Sequence, residues 1–101
     1  MKKEEIKDKL LKAVKDCPYL SEIKRLALFG SYVSGEAKEN SDVDVLIDFT
    51  EDARVGFFKY VRIRRGLSET LGLDVDMVTP QALSKYIKDA VLQQAETVYE
   101  R

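Results

Sequence analysis

The sequence predicts an α/β (α+β) fold, a small mixed sheet with helices packed against it. Two patterns carry that expectation. Apolar residues recur at helical spacing in several stretches, and between them lie short runs in which apolar and acidic residues alternate. Their order along the chain, helix, strand, helix, strand, helix, strand, helix, is what layered helices on a sheet require. With 101 residues, 45% hydrophobic and 35% charged, the chain can build one core. Residues 1–101 are expected to form a single domain.

From Lys3 to about Asp16, apolar Ile6, Leu10, Leu11 and Val14 fall on one helical stripe, and Pro18 lies just beyond. Ile23 to Phe29 ends in the apolar run Leu26-Ala27-Leu28-Phe29, short enough for a buried strand, and Gly30-Ser31 stops it. Residues 32–41 read as a short helix followed by a loop. In Asp42 to Phe49, Val43, Val45 and Ile47 share one face, while Asp42, Asp44, Leu46 and Asp48 share the other, which predicts a second strand.

Tyr60, Ile63, Leu67 and Leu71 place a long helix over 53–71, with Gly72 as its C-cap. Leu73 to Val78 alternates again, with Asp74 and Asp76 on one face, and predicts a third strand. Thr79-Pro80 reads as the start of a last helix, with Leu83, Ile87 and Val91 on its stripe. Thr97-Val98-Tyr99 is expected to form a short edge strand.

Composition narrows the chemistry. A formal charge of -1 supplies no cationic field, so duplex DNA is not an expected partner. One cysteine, Cys17, and no histidine leave no intrachain disulfide, no zinc cluster and no histidine triad. Acid-base or metal chemistry must rest on carboxylates. The charged start Met1-Lys2-Lys3-Glu4-Glu5 is unlike a signal peptide, and no stretch reaches the roughly 18 apolar residues of a membrane span. A cytoplasmic protein with no membrane partner is expected.

Gly30-Ser31 is followed, after ten residues, by Asp42-x-Asp44. Two aspartates at i and i+2 in a strand leave the same face. They repel unless a cation lies between them, and magnesium prefers such hard oxygen donors. Gly30-Ser31 stands where a strand meets a helix, a place suited to phosphate binding, and Ser31 adds a hydroxyl donor. A triphosphate held by the turn and bridged to the aspartates by magnesium would use both halves of the motif. A third carboxylate would complete a two-metal arrangement. Asp76 is the candidate, also as proton acceptor, with Asp74 as the alternative.

These residues, Gly30-Ser31, Asp42-x-Asp44 and Val75-Asp76-Met77-Val78, resemble the minimal nucleotidyltransferases of the DNA polymerase beta superfamily over nearly the whole chain. The resemblance is to the antitoxins of HEPN-type ribonuclease toxins. It implies the polymerase beta-like fold, Asp42, Asp44 and Asp76 as catalytic magnesium ligands holding two ions, and Gly30 and Ser31 on the phosphates of ATP. It also implies AMP transfer to a hydroxyl of a HEPN-type toxin, a tyrosine being the expected acceptor, and a hetero-oligomer with that toxin. Ser34 stands before Gly35 where many members carry arginine. An antitoxin that masks its toxin by contact alone is therefore the alternative function.

The motif spacing should arise by chance in about one in a thousand chains of this length. Its plain alternative is a tight turn followed by a strand whose aspartates solvate the outer face. Lys59, Arg62 and Arg65, three residues apart on the central helix, read as a solvated face. Lys85 and Lys88 read the same way, Asp48 as a surface acid, and Cys17 as a small packing residue. No tyrosine is assigned to an adenine site.

Overall fold

The computed structural model describes residues 1–101. Four helices, α1 (Lys3–Lys15), α2 (Ser31–Ser34), α3 (Phe57–Leu71) and α4 (Lys85–Gln94), alternate with four strands, β1 (Ile23–Phe29), β2 (Val43–Phe49), β3 (Val75–Val78) and β4 (Glu96–Glu100). The sheet order is β3-β2-β1-β4. β1 pairs antiparallel with both β2 and β4, whereas β2 and β3 run parallel. Parallel neighbours need a crossover, and α3 supplies it.

The alternation in β2 decides the packing. Val43, Val45 and Ile47 are fully buried and join Leu26 and Leu28 of β1 and Val75 and Met77 of β3 on one face. Against that face lie Ile6, Leu10, Ala13 and Val14 of α1 and Ile63, Leu67 and Leu71 of α3. Burying each Val, Leu or Ile contributes about 1.5–3 kcal/mol before chain entropy is counted, so this layer dominates folding. A pairing irregularity between Ile23 and Arg25 adjusts the start of β1, and Ile23 also joins the core.

The other face is thinly covered. Its buried residues Ala27 and Leu46 oppose one another across β1 and β2 and stand outside the main core. That face carries Asp44 and Asp76. Ion pairs brace the helix layer: Lys3 and Lys7 of α1 both reach Glu96 of β4, at 3.0 and 3.2 Å, and Lys59 of α3 reaches Glu22 at 2.9 Å. Each is partly solvated, so water screens most of its attraction and it adds little to stability.

Some boundaries differ from the sequence expectation. α3 begins at Phe57, not 53, because Gly56 precedes it in extended conformation. β3 begins at Val75, leaving Asp74 in the approach to the strand. Thr79 caps no long helix. Pro80–Ala82 is a single 3-10 turn, Leu83 is extended, and α4 starts two residues later, where the Ser84 hydroxyl accepts from the Tyr86 amide at 3.2 Å. Two competing N-cap residues five positions apart made this start ambiguous, and the serine, which bonds a first-turn amide, prevails. No residue of α4 is fully buried. The edge strand forms as expected, over Glu96–Glu100. No helix is long and apolar enough to cross a membrane.

Candidate active site

The site lies where β1 ends and β2 and β3 begin. Asp42 immediately precedes β2, and Asp44 is its second residue. Across the parallel ladder Asp44 is paired in register with Asp76, and on its other side with Phe29, the last residue of β1. Neighbouring strands lie about 4.8 Å apart, so in-register aspartates on one face are close by construction. This places Asp76, not Asp74, beside Asp44; Asp74 uses its carbonyl to accept from the Val43 amide at 2.9 Å. Asp48 lies four residues further along β2, paired with Arg25, away from the cluster.

Gly30 completes the site from the β1 side. Its φ of 79° lies in the region that favours glycine. A Cβ at this position would overlap the Asp44 side chain, with Asp44 Cγ only 2.9 Å away. The backbone turn therefore packs directly against the carboxylate, which is how the Gly-Ser pair and the Asp-x-Asp pair, ten residues apart, form one site. The Gly30 carbonyl accepts from the Val33 and Ser34 amides, starting α2 with Ser31 as its first residue. The Gly30 amide donates to Gln94 Oε1 at 3.0 Å, linking the turn to the end of α4. Ser34 is exposed and its hydroxyl donates to the Ser31 carbonyl at 3.3 Å.

Electrostatics agree with this placement. The Asp44 carboxyl is pushed above the usual range, first by partial burial and then by the charges of Asp76 and Asp42. Three carboxylates in electrostatic contact on a thinly covered face form a donor set of hard oxygens that fits a divalent cation. They do not converge into a closed cage, since no group of three acidic, cysteine or histidine side chains stands close enough to hold an ion alone. The arrangement suits magnesium, which takes one or two carboxylates and fills its octahedron with water and substrate phosphate oxygens.

The basic row divides. Lys59 is tied to Glu22 and to the Arg54 carbonyl and stands 5.1 Å from the Tyr19 ring centroid, so it braces α3 and is not a free surface charge. Arg62 donates to the Tyr19 hydroxyl at 3.3 Å, while Arg65 is exposed. Tyr32 is buried in the core, and its hydroxyl donates to the Ser41 carbonyl at 3.3 Å. Cys17 is half-buried beside the core, as expected of a packing residue. The helical pattern gives Tyr60 only a place on the α3 stripe and Arg64 no role, because their relation to Asp76 depends on which stripe of α3 meets β3.

A small mixed sheet that presents paired carboxylates against a glycine turn is the architecture of nucleotidyl-transferring domains. Residues 7–98 match the nucleotidyltransferase domain family, and the chain belongs to that family. Protein adenylyltransferase MntA of Thermococcus cleftensis is 43% identical over 77 residues, which cover 76% of this chain and 74% of the relative. A Methanocaldococcus jannaschii protein, MJ1379, provisionally named a protein adenylyltransferase, is 36% identical over 88 residues, 86% of this chain and 88% of its own. A solved structure provisionally assigned as a minimal nucleotidyltransferase superposes with a TM-score of 0.75 at 30% identity over 95% of both chains. The crystal structure of a toxin-antitoxin with AMP-PNP shares the fold, with a TM-score of 0.74 at 23% identity over 94% of this chain and 73% of that one.

Proposed function

We propose that this protein transfers AMP from ATP to a tyrosine hydroxyl of a partner HEPN-type toxin and acts as that toxin's antitoxin in the cytoplasm. The observation that carries the reading is the in-register pairing of Asp44 with Asp76 beside Gly30. The names of the relatives agree: protein adenylyltransferase MntA for one, toxin-antitoxin with AMP-PNP for a structural neighbour. A protein that worked by masking alone would have no need of clustered carboxylates that burden one another in the free fold.

Asp42, Asp44 and Asp76 would hold magnesium, two ions being the expected number. Bound there, magnesium supplies positive charge to the phosphate oxygens and to the departing pyrophosphate. Gly30 and Ser31 bind the phosphates, the glycine by leaving room beside Asp44 and the serine by its hydroxyl. The tyrosine oxygen attacks the α-phosphorus, a new P–O bond forms, the bond from the α-phosphorus to the bridging oxygen breaks, and pyrophosphate leaves with the electron pair. Asp76 takes the phenolic proton, and a phenol with a pKa near 10 gives it up more readily than an aliphatic hydroxyl.

Position-specific labels test the reaction. With magnesium and a HEPN-type toxin as acceptor, label in the α-phosphate of ATP should pass to the partner, while label in the γ-phosphate should leave as pyrophosphate. Transfer of the γ-label would make the protein a kinase and end this reading.

A further inference from the structure

We infer that Arg64 is an acceptor-binding residue: it takes an anionic oxygen of the acceptor protein, a carboxylate close to the accepting hydroxyl, at the open edge of β3. The inference rests on the nucleotidyl-transfer reading above and adds to it the side of the site from which the acceptor enters and the chemistry it must present there.

β3 is an outer strand of the sheet. Since the Asp74 carbonyl points to β2, the alternation of a strand turns the backbone groups of Val75 and Met77 outward. Two α3 side chains meet them. The Val75 amide donates to Ser68 Oγ at 3.1 Å, and the Tyr60 hydroxyl donates to the Met77 carbonyl. Tyr60 and Ser68 are eight residues apart, with Arg64 midway on the same i, i+4 stripe. Both neighbours on that stripe are fastened to β3, one at each side of Asp76, so Arg64 is held at the level of Asp76. The Tyr60 phenol feels both charges: burial and Asp76 raise its pKa, and Arg64 opposes them.

Arg64 is half-buried and takes part in none of the ion pairs of the fold. A guanidinium at the edge of β3, level with Asp76 along the strand and without a carboxylate partner of its own, is available to an incoming one. The order across the site gives it a direction. Gly30-Ser31 follows β1, Asp44 is on β2, Asp76 on β3, and the Tyr60-Arg64-Ser68 stripe lies beyond. In an in-line displacement the attacking and leaving oxygens stand on opposite sides of the phosphorus. Pyrophosphate leaving on the Gly30-Ser31 side requires the acceptor to come from the β3 side, where Arg64 stands.

Steady-state transfer to a HEPN-type toxin as acceptor, with that protein and ATP varied separately, tests this in Arg64→Gln, Arg64→Lys and Arg65→Gln. A hydrogen bond to a charged group contributes about 1.5–3 kcal/mol, or roughly tenfold and more. Arg64→Gln should therefore raise the acceptor KM by about tenfold or more, leave the ATP KM and the thermal shift caused by magnesium-ATP unchanged, and be partly rescued in Arg64→Lys. Arg65→Gln, altered on the exposed face, should behave as wild type. A smaller rise, or an equal rise in the ATP KM, overturns the inference. If Arg64→Gln does not fold, Arg64→Lys decides, since it keeps the charge and loses the fork: an acceptor KM equal to wild type counts against the inference. Wild type that transfers no AMP sinks the function and the inference together, whereas active wild type with an indifferent Arg64 sinks the inference alone.

Discussion

Gly30 and Asp44 are packed so closely that the backbone of one occupies the space a side chain would need beside the other: a Cβ on Gly30 would meet Asp44 Cγ at 2.9 Å and Asp44 Cβ at 3.0 Å. The glycine also has a φ of 79°. Two independent demands, a positive φ and a missing Cβ, thus converge on the residue that joins the Gly-Ser turn to the carboxylates.

Gly30→Ala should therefore damage the site more than the fold. A positive φ combined with a ψ of -150° is a conformation essentially reserved for glycine and costs an alanine about 1–3 kcal/mol, and relieving the overlap must move Asp44. Transfer should fall by about a hundredfold or more, since displacement of catalytic groups by about 1 Å can cost that much. The far-UV circular dichroism spectrum should remain that of the wild type. Activity within threefold of wild type would show that the close approach has no catalytic role.

Asp44→Asn should stabilise the nucleotide-free protein at neutral pH while abolishing transfer. The folded Asp44 pKa is raised, so the stability tied to its protonated form is present at low pH and lost as pH rises through that value. At pH 7 the wild type bears the full cost of the ionised group, which asparagine does not. The variant's higher thermal midpoint should converge on the wild type's as pH falls below the carboxyl range. Equal midpoints at pH 7 would contradict the electrostatic account of the cluster.

Glu96 provides the opposite sign. Its carboxyl is held below the ordinary 4.5 by hydrogen bonds from Lys3 and then Lys7. A depressed pKa contributes stability that is present above the unfolded value and lost as pH falls through the folded one. Glu96→Gln should lower the midpoint only slightly at pH 7, as expected of well-solvated pairs, and the difference should shrink below pH of about 4. High salt should shrink it too. A difference that is constant from pH 7 to pH 3 would assign the effect to packing.

The parts of this fold legible in the sequence are those set by a single period. Val43, Val45 and Ile47 announced the buried face of β2, and Asp42, Asp44 and Asp48 announced the other, because a strand has only two faces. Asp76 could be preferred over Asp74 only weakly from the sequence, since both share parity. The β2-β3 register separates them by pairing Asp76 with Asp44. The start of α4 was misplaced because Thr79-Pro80 and Ser84 offer rival caps, and Ser84 is the one that bonds a first-turn amide. Arg64 was invisible for a different reason. Nothing in a helical stripe of Tyr60, Arg64 and Ser68 shows that the neighbouring surface is a strand edge needing hydrogen-bond partners.

The central claim is that the paired aspartates transfer AMP to a tyrosine of a partner protein, and intact-mass spectrometry of that partner tests it most directly. After incubation of a HEPN-type toxin partner with magnesium, ATP and this protein, the partner's mass should rise by one or more AMP units, fragmentation should place them on tyrosine, and Asp76→Asn should give no added mass while still binding the partner. An unmodified partner under conditions where the wild-type protein neutralises it would contradict the account and leave an antitoxin that works by contact alone.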